Sequence, residues 1–227
     1  MGTKAYMTIS ELRLALDLSF DSKIEVLKRC AKQMLASGYL FVDSSNGKFY
    51  LFDRNGNEDD IAKLDCIENE LFCNDERLKL VRIPDNVVSI GDHAFFGCRG
   101  LTSVTIPDSV TSIETSAFRG CSRLTNVTIP DSMTSIGHYA FGYCSALTSM
   151  TIPDSITGIG YAAFFNCSAL TNITIPNSVI AIGDLAFYDC INLKELIFKG
   201  KTIDEVKAMG YYPWGIEDES IVKSMLS

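Results

Sequence analysis

The sequence predicts an α/β repeat solenoid, a curved stack of short strands and short helical turns, with a small α+β module at its N-terminus. Three observations carry that prediction. Ile-Pro recurs at Ile83-Pro84, Ile106-Pro107, Ile129-Pro130, Ile152-Pro153 and Ile175-Pro176. Ala-Phe recurs at Ala94-Phe95, Ala117-Phe118, Ala140-Phe141, Ala163-Phe164 and Ala186-Phe187. Cys98, Cys121, Cys144, Cys167 and Cys190 keep the same 23-residue step. A fixed period of this length marks a stack of supersecondary units, none of which can bury its apolar face alone. The expected organisation is a helix-helix-hairpin module over 1–60, the solenoid over 61–198 and a C-terminal cap over 199–227.

In the N-terminal module, Ile9 to Leu18 reads as a short helix. Asp21 to Ala36 reads as a longer amphipathic one, with Ile24, Leu27, Cys30, Ala31, Met34 and Leu35 on its apolar face. Tyr39 to Asp43 and Lys48 to Asp53 then alternate around Ser44-Ser45-Asn46-Gly47, a hairpin signal because Asn-Gly supplies positive φ cheaply. Two helices and a hairpin also describe a winged helix, which would set Lys23, Lys28, Arg29, Lys32 and Lys48 against a phosphate backbone. Asp17, Asp21, Glu25 and the run Glu58-Asp59-Asp60 dilute any such basic face and argue against a nucleic-acid partner.

One coil shows how the repeat works. In Leu101-Thr102-Ser103-Val104-Thr105-Ile106, alternation sends Val104 and Ile106 inward and Ser103 and Thr105 outward, which is a short strand. Pro107 has no amide hydrogen, so it ends the ladder. Val110 to Ile113 is a second β-favouring stretch, able to pair with its counterparts in neighbouring coils. The Ala117-Phe118 step is expected to bury a small and a large residue in a helical turn, and Cys121 closes the coil as a small hydrophobe. Stacking lets each Leu, Ile and Phe cover its counterpart, at about 1.5–3 kcal/mol per large side chain buried.

The string Leu-x-x-Val-x-Ile-Pro-x-Ser-Val-x-x-Ile-x-x-x-Ala-Phe-x-x-Cys resembles the BspA-like leucine-rich repeat, and the resemblance covers roughly residues 65–198. It implies a leucine-rich-repeat solenoid. It also implies adhesion, because members are described as surface or secreted proteins that bind host proteins or other cells.

Beyond the repeat, Thr202 with Glu205 three residues on predicts a short capped helix. Tyr211-Tyr212-Pro213-Trp214 follows, and its single tryptophan reads as a ring covering the last coil, since an open solenoid end exposes a sheet edge and apolar core.

Composition bounds the function. Of 227 residues, 47% are hydrophobic and 21% charged, which is the balance of a folded domain. The net charge of -8 opposes non-specific contact with nucleic acid or anionic lipid. No run approaches the roughly 18 apolar residues of a membrane span. Met1-Gly2-Thr3-Lys4-Ala5-Tyr6 does not read as a secretion signal, so the sequence by itself reads as cytoplasmic, whereas the resemblance implies surface or secretion.

Catalytic chemistry finds little to work with. The two histidines, His93 and His138, share no register and read as surface residues. No Gly-rich phosphate loop, Gly-x-Ser-x-Gly elbow or His-Glu-x-x-His helix occurs. The five cysteines in register read as a column of buried thiols, because equivalent side chains in a ladder run parallel and no Cys-x-x-Cys pair marks a metal site. The expectation is a non-enzymatic scaffold with no cofactor and no metal, binding a protein partner.

Positions that vary between coils are where binding is expected. His93, Ser116, Tyr139, Ala162 and Leu185 form one such column; Phe96, Arg119, Gly142, Phe165 and Tyr188 another; Gly97, Gly120, Tyr143, Asn166 and Asp189 a third. Tyr139, Tyr143, Tyr161, Phe165 and Tyr188 are the candidate partner site, because aromatic anchors dominate protein interfaces. Their rival role is outer core, each ring packing over the next. A secondary candidate is carbohydrate binding on the outward column Thr105, Thr128, Thr151 and Thr174. The alternative to an adhesin is an intracellular adaptor whose N-terminal module binds DNA or protein.

Overall fold

The computed structural model describes residues 39–44, 48–53 and 66–226, apart from 68, 71, 75, 77, 84 and 86. The two helices expected over 9–18 and 21–36 lie outside the described residues.

The expected hairpin is present. Strands β1 (Tyr39–Ser44) and β2 (Lys48–Asp53) pair antiparallel, from Tyr39 opposite Asp53 to Ser44 opposite Lys48. β2 also pairs in parallel with β4 (Leu80–Arg82), so the hairpin extends one edge of the solenoid sheet. That pairing closes an edge that would otherwise expose unpaired amides.

From there each coil lays its strand beside the strand of the coil before. Leu80 stands opposite Ser103, and Ser103 opposite Asn126, through β6 (Ser103–Thr105) and β8 (Asn126–Val127). The ladder passes through single bridges Thr128–Thr151 and Thr151–Thr174 into β11 (Asn172–Ile175), β13 (Glu195–Lys199) and β14 (Val222–Met225). A second ladder joins two-residue strands that each end in isoleucine. It runs through β3 (Cys66–Ile67), β5 (Ser89–Ile90) and β7 (Ser112–Ile113), and again through β9 (Ser135–Ile136), β10 (Gly158–Ile159) and β12 (Ala181–Ile182). Parallel strands need a long crossover, and here the rest of the coil is that crossover.

The Ala-Phe segments are runs of tight turns where helical turns were expected. Within a coil, the amides of Ala94, Phe96 and Cys98 donate to the carbonyls of Gly91, His93 and Phe95. Between coils, the amides of His93, Phe95 and Gly97 donate to the carbonyls of Thr115, Ala117 and Arg119 at 3.0, 2.8 and 2.8 Å. A helix would spend those amides along its own axis. Here the backbone is left-handed at His93 (φ 56°) and Gly97 (φ 67°), which turns alternate amides toward the next coil and makes the turn a third ladder.

The core fills the coil interior. Phe72, Phe95, Phe118, Phe141, Phe164 and Phe187 form a stack with centroid spacings of 5.1 to 6.0 Å and interplanar angles of 15° or less. Beside it the thiols of Cys98, Cys121, Cys144, Cys167 and Cys190 donate to the carbonyls of Phe72, Phe95, Phe118, Phe141 and Phe164. Cysteine thus closes the coil as a hydrophobe and also as a hydrogen-bond donor.

The cap substitutes for a further coil. The helix α1 (Ile203–Lys207) begins with a capping box between Thr202 and Glu205. Trp214 is fully buried, its ring against Phe198 at 5.4 Å and its indole N–H donating to the Gly210 carbonyl at 2.8 Å. The Trp214 carbonyl accepts the Phe187 amide at 3.1 Å, the place that the next coil's alanine carbonyl fills for Phe95, Phe118, Phe141 and Phe164.

Candidate functional site: the outer aromatic stripe

The turn ladder fixes the backbone of the columns whose side chains vary. His93, Ser116, Tyr139, Ala162 and Leu185 all have φ between 52° and 58°. Asn74, Gly97, Gly120, Tyr143, Asn166 and Asp189 have φ between 54° and 78°. A residue with a Cβ gives up about 1–2 kcal/mol to stand there. The backbone there is fixed while the side chain varies, and on the outer face of the turn Tyr143 and Asp189 are exposed whereas Ser116 and Ala162 are buried.

All five aromatic residues expected at the site come together on that face. Tyr139 meets Tyr161 edge-on at 5.3 Å and Phe165 at 6.1 Å; Tyr143 meets Phe165 at 5.2 Å; Phe165 stacks on Tyr188 at 5.2 Å. Tyr143, Tyr161 and Tyr188 remain 40%, 37% and 42% exposed, while Tyr139 and Phe165 are half-buried. A hydrogen bond with Tyr139 holds the Tyr161 phenol above its usual pKa.

The stripe reaches beyond those five. The Arg119 guanidinium lies 4.6 Å from the centroid of Tyr139, 5.2 Å from Tyr143 and 5.7 Å from Phe96. His93 continues the line, 5.4 Å from Phe96. Phe96 and Arg119 share a register column with Phe165 and Tyr188, and that shared column was the signal that could have placed them in the site.

His138 is exposed, as expected, but its ring is engaged. Its Nδ1 accepts the amide N–H of Tyr161 at 2.8 Å. At the same register Asn69 Oδ1 accepts the Asp92 amide and Asp92 Oδ1 accepts the Thr115 amide, so this column links coils through side-chain acceptors.

The threonine columns divide. Thr102, Thr125 and Thr148 donate their hydroxyls to carbonyls of the preceding coil, at Lys79, Thr102 and Thr125. Thr105, Thr128 and Thr151 are exposed and Thr174 half-buried, with hydroxyls unbonded among the described residues. Cys121, Cys144, Cys167 and Cys190 are free thiols, and among the described residues no group of three or more His, Cys, Asp or Glu could hold a metal. Burial pushes the thiols of Cys121, Cys144 and Cys167 well above their ordinary pKa, and that of Cys190 up to about 12, which removes them as nucleophiles at neutral pH. No described helix is long and apolar enough to cross a membrane.

Comparison with known proteins agrees with this architecture. Solved structures share the fold. A leucine-rich repeat protein of T. pallidum is 23% identical, with a TM-score of 0.58, over 78% of this chain and 95% of that one. A leucine-rich cell surface protein of Faecalibacterium prausnitzii is 29% identical, with a TM-score of 0.50, over 71% of this chain and 53% of that one. The pneumococcal vaccine antigen PcpA is 16% identical, with a TM-score of 0.54, over 84% of this chain and 48% of that one. The chain thus spans about half the length of the last two. No curated protein matches the sequence. The model of the BspA type leucine-rich repeat region matches six copies over residues 65–194, more than half of the sequence, and the chain belongs to that family.

Proposed function

We propose that the protein is a non-enzymatic binding scaffold that recognises a protein partner in adhesion, and that Tyr139, Tyr143, Tyr161, Phe165 and Tyr188 form the contact. The observation that supports this most is the contiguity of five aromatic rings, Tyr143, Tyr161 and Tyr188 exposed among them, on a backbone locked by inter-coil hydrogen bonds. A rigid platform loses little entropy on binding, and Tyr with Arg is the composition of interface hot spots. The similarity to a protein described as a leucine-rich cell surface protein supports a place at the cell surface.

The test is partner capture by the full chain and by its Tyr143→Ser/Phe165→Ser variant, from host matrix proteins and from source-cell lysate. The expected result is a protein retained by the native chain and lost by the variant. Equal retention by both would overturn the aromatic site. Carbohydrate binding is the second reading, favoured by the exposure of Thr105, Thr128 and Thr151. It requires glycan affinity that disappears on Thr128→Val and Thr151→Val substitution.

A further inference from the structure

Arg119 is surplus to the coil. Its register column holds Phe96, Gly142, Phe165 and Tyr188 in the other coils, so stacking requires no particular side chain there. Arg119 is nonetheless half-buried, its guanidinium set against three rings, Phe96, Tyr139 and Tyr143, at 5.7, 4.6 and 5.2 Å. Ring faces attract its charge but leave its N–H fork without directed acceptors. Among the described residues no carboxylate pairs with it and no acceptor takes its side-chain N–H groups, although the protein carries an excess of acids and Arg99 finds Glu76 at 3.7 Å. The result is a cation set against three rings, on a half-buried residue, with no directed acceptor among the described residues.

We propose that Arg119 anchors a carboxylate of the partner, and that the stripe recognises an acidic peptide segment in which an Asp or Glu sits next to large apolar residues. This rests on the protein-binding reading of the same stripe and adds the chemistry of its partner. The planar fork matches a carboxylate bidentately, and the aromatic cluster holds it ready for that geometry. The flanking rings of Tyr143, Phe165 and Tyr188 take the apolar neighbours. A carboxylate fits better than a phosphate, because the stripe offers one cation, whereas a phosphate carries nearly two charges and is met by arginine clusters.

A random heptapeptide display library panned on the immobilised full chain tests this. The enriched sequences are expected to place Asp or Glu beside Leu, Ile, Phe or Trp. A synthetic peptide of the leading sequence is expected to bind Arg119→Gln at least about tenfold more weakly, and Arg119→Lys more weakly than the native chain, with melting temperatures unchanged. Enrichment without acids overturns the proposal, as does equal binding by Arg119→Gln. Tighter binding of the peptide with phosphoserine in place of its acid assigns the fork to phosphate and overturns it too. Binding that Tyr143→Ser/Phe165→Ser abolishes and Arg119→Gln leaves intact would sink the carboxylate anchor alone. A library that yields no binder on the native chain would sink the anchor and the protein-binding reading together.

Discussion

The inner phenylalanine column and the outer aromatic stripe are built on the same coils and have nearly the same spacing. Inner rings stand 5.1 to 6.0 Å apart, and the ring pairs of the five outer aromatics 5.2 to 6.1 Å. The inner rings are all phenylalanine, buried and near-parallel. Outer positions run through His93, Phe96, Arg119, Tyr139, Tyr143, Tyr161, Phe165 and Tyr188, with interplanar angles of 22° to 76° among the five aromatics. Coil stacking therefore decides where a ring stands, and burial decides whether it has to be the same ring each time. An inner residue is closed in by its neighbours, so any change of shape leaves a void or a clash. An outer residue meets neighbours on some sides and water on others, which leaves its identity open to selection for binding.

Breaking the inner column should have the largest effect. Phe141→Ala is expected to cost about 3–5 kcal/mol, read from the shift in urea unfolding, because the void lies between two stacked rings. The neighbouring thiols give the next effect, through pH. Burial raises the folded-state pKa of Cys190 from 9.0 to about 12, and those of Cys121, Cys144 and Cys167 in the same direction. Unfolded thiols ionise first, so this stability is intact below pH 9.0 and declines from there toward about 12. Unfolding free energies measured across that range should fall, and a flat profile would mean that the thiols are not buried.

Smaller effects sharpen the outer side of the comparison. His138→Ala removes the acceptor of the Tyr161 amide and should cost about 1 kcal/mol. His138→Asn should restore much of that, since Asn69 does the same work at the same register. The smallest change is a gain. Leu185 holds φ 56° with a Cβ, and Leu185→Asn is expected to raise stability by up to about 1 kcal/mol in thermal unfolding.

The periodic part of this fold was legible in the sequence because stacking makes one demand of every coil. Ile-Pro, Ala-Phe and Cys recur because each faces its own copy, and the strand register follows the same 23-residue step, as with Leu80 opposite Ser103. The turn backbone was hidden because glycine marks the left-handed position at Gly97 and Gly120 while Tyr143, Asn166 and Asp189 occupy it later. Residue type alone therefore suggested free positions where the backbone is fixed. Arg119 and Phe96 escaped the candidate site because their column mixes a cation, a glycine and rings. The shared column hinted at them, and the contacts of Arg119 with Phe96, Tyr139 and Tyr143 show that they belong together. His138 escaped for a similar reason, since Asn69, Asp92 and His138 share nothing but an acceptor atom.

The most direct test of the contrast between the two columns is urea unfolding of the full chain carrying Tyr143→Ser and Phe165→Ser. The expected result is a loss of no more than about 2 kcal/mol, in keeping with partly exposed rings and modest aromatic pair energies. A loss of several kcal/mol, comparable to that of Phe141→Ala, would contradict it and make the stripe an outer layer of the core.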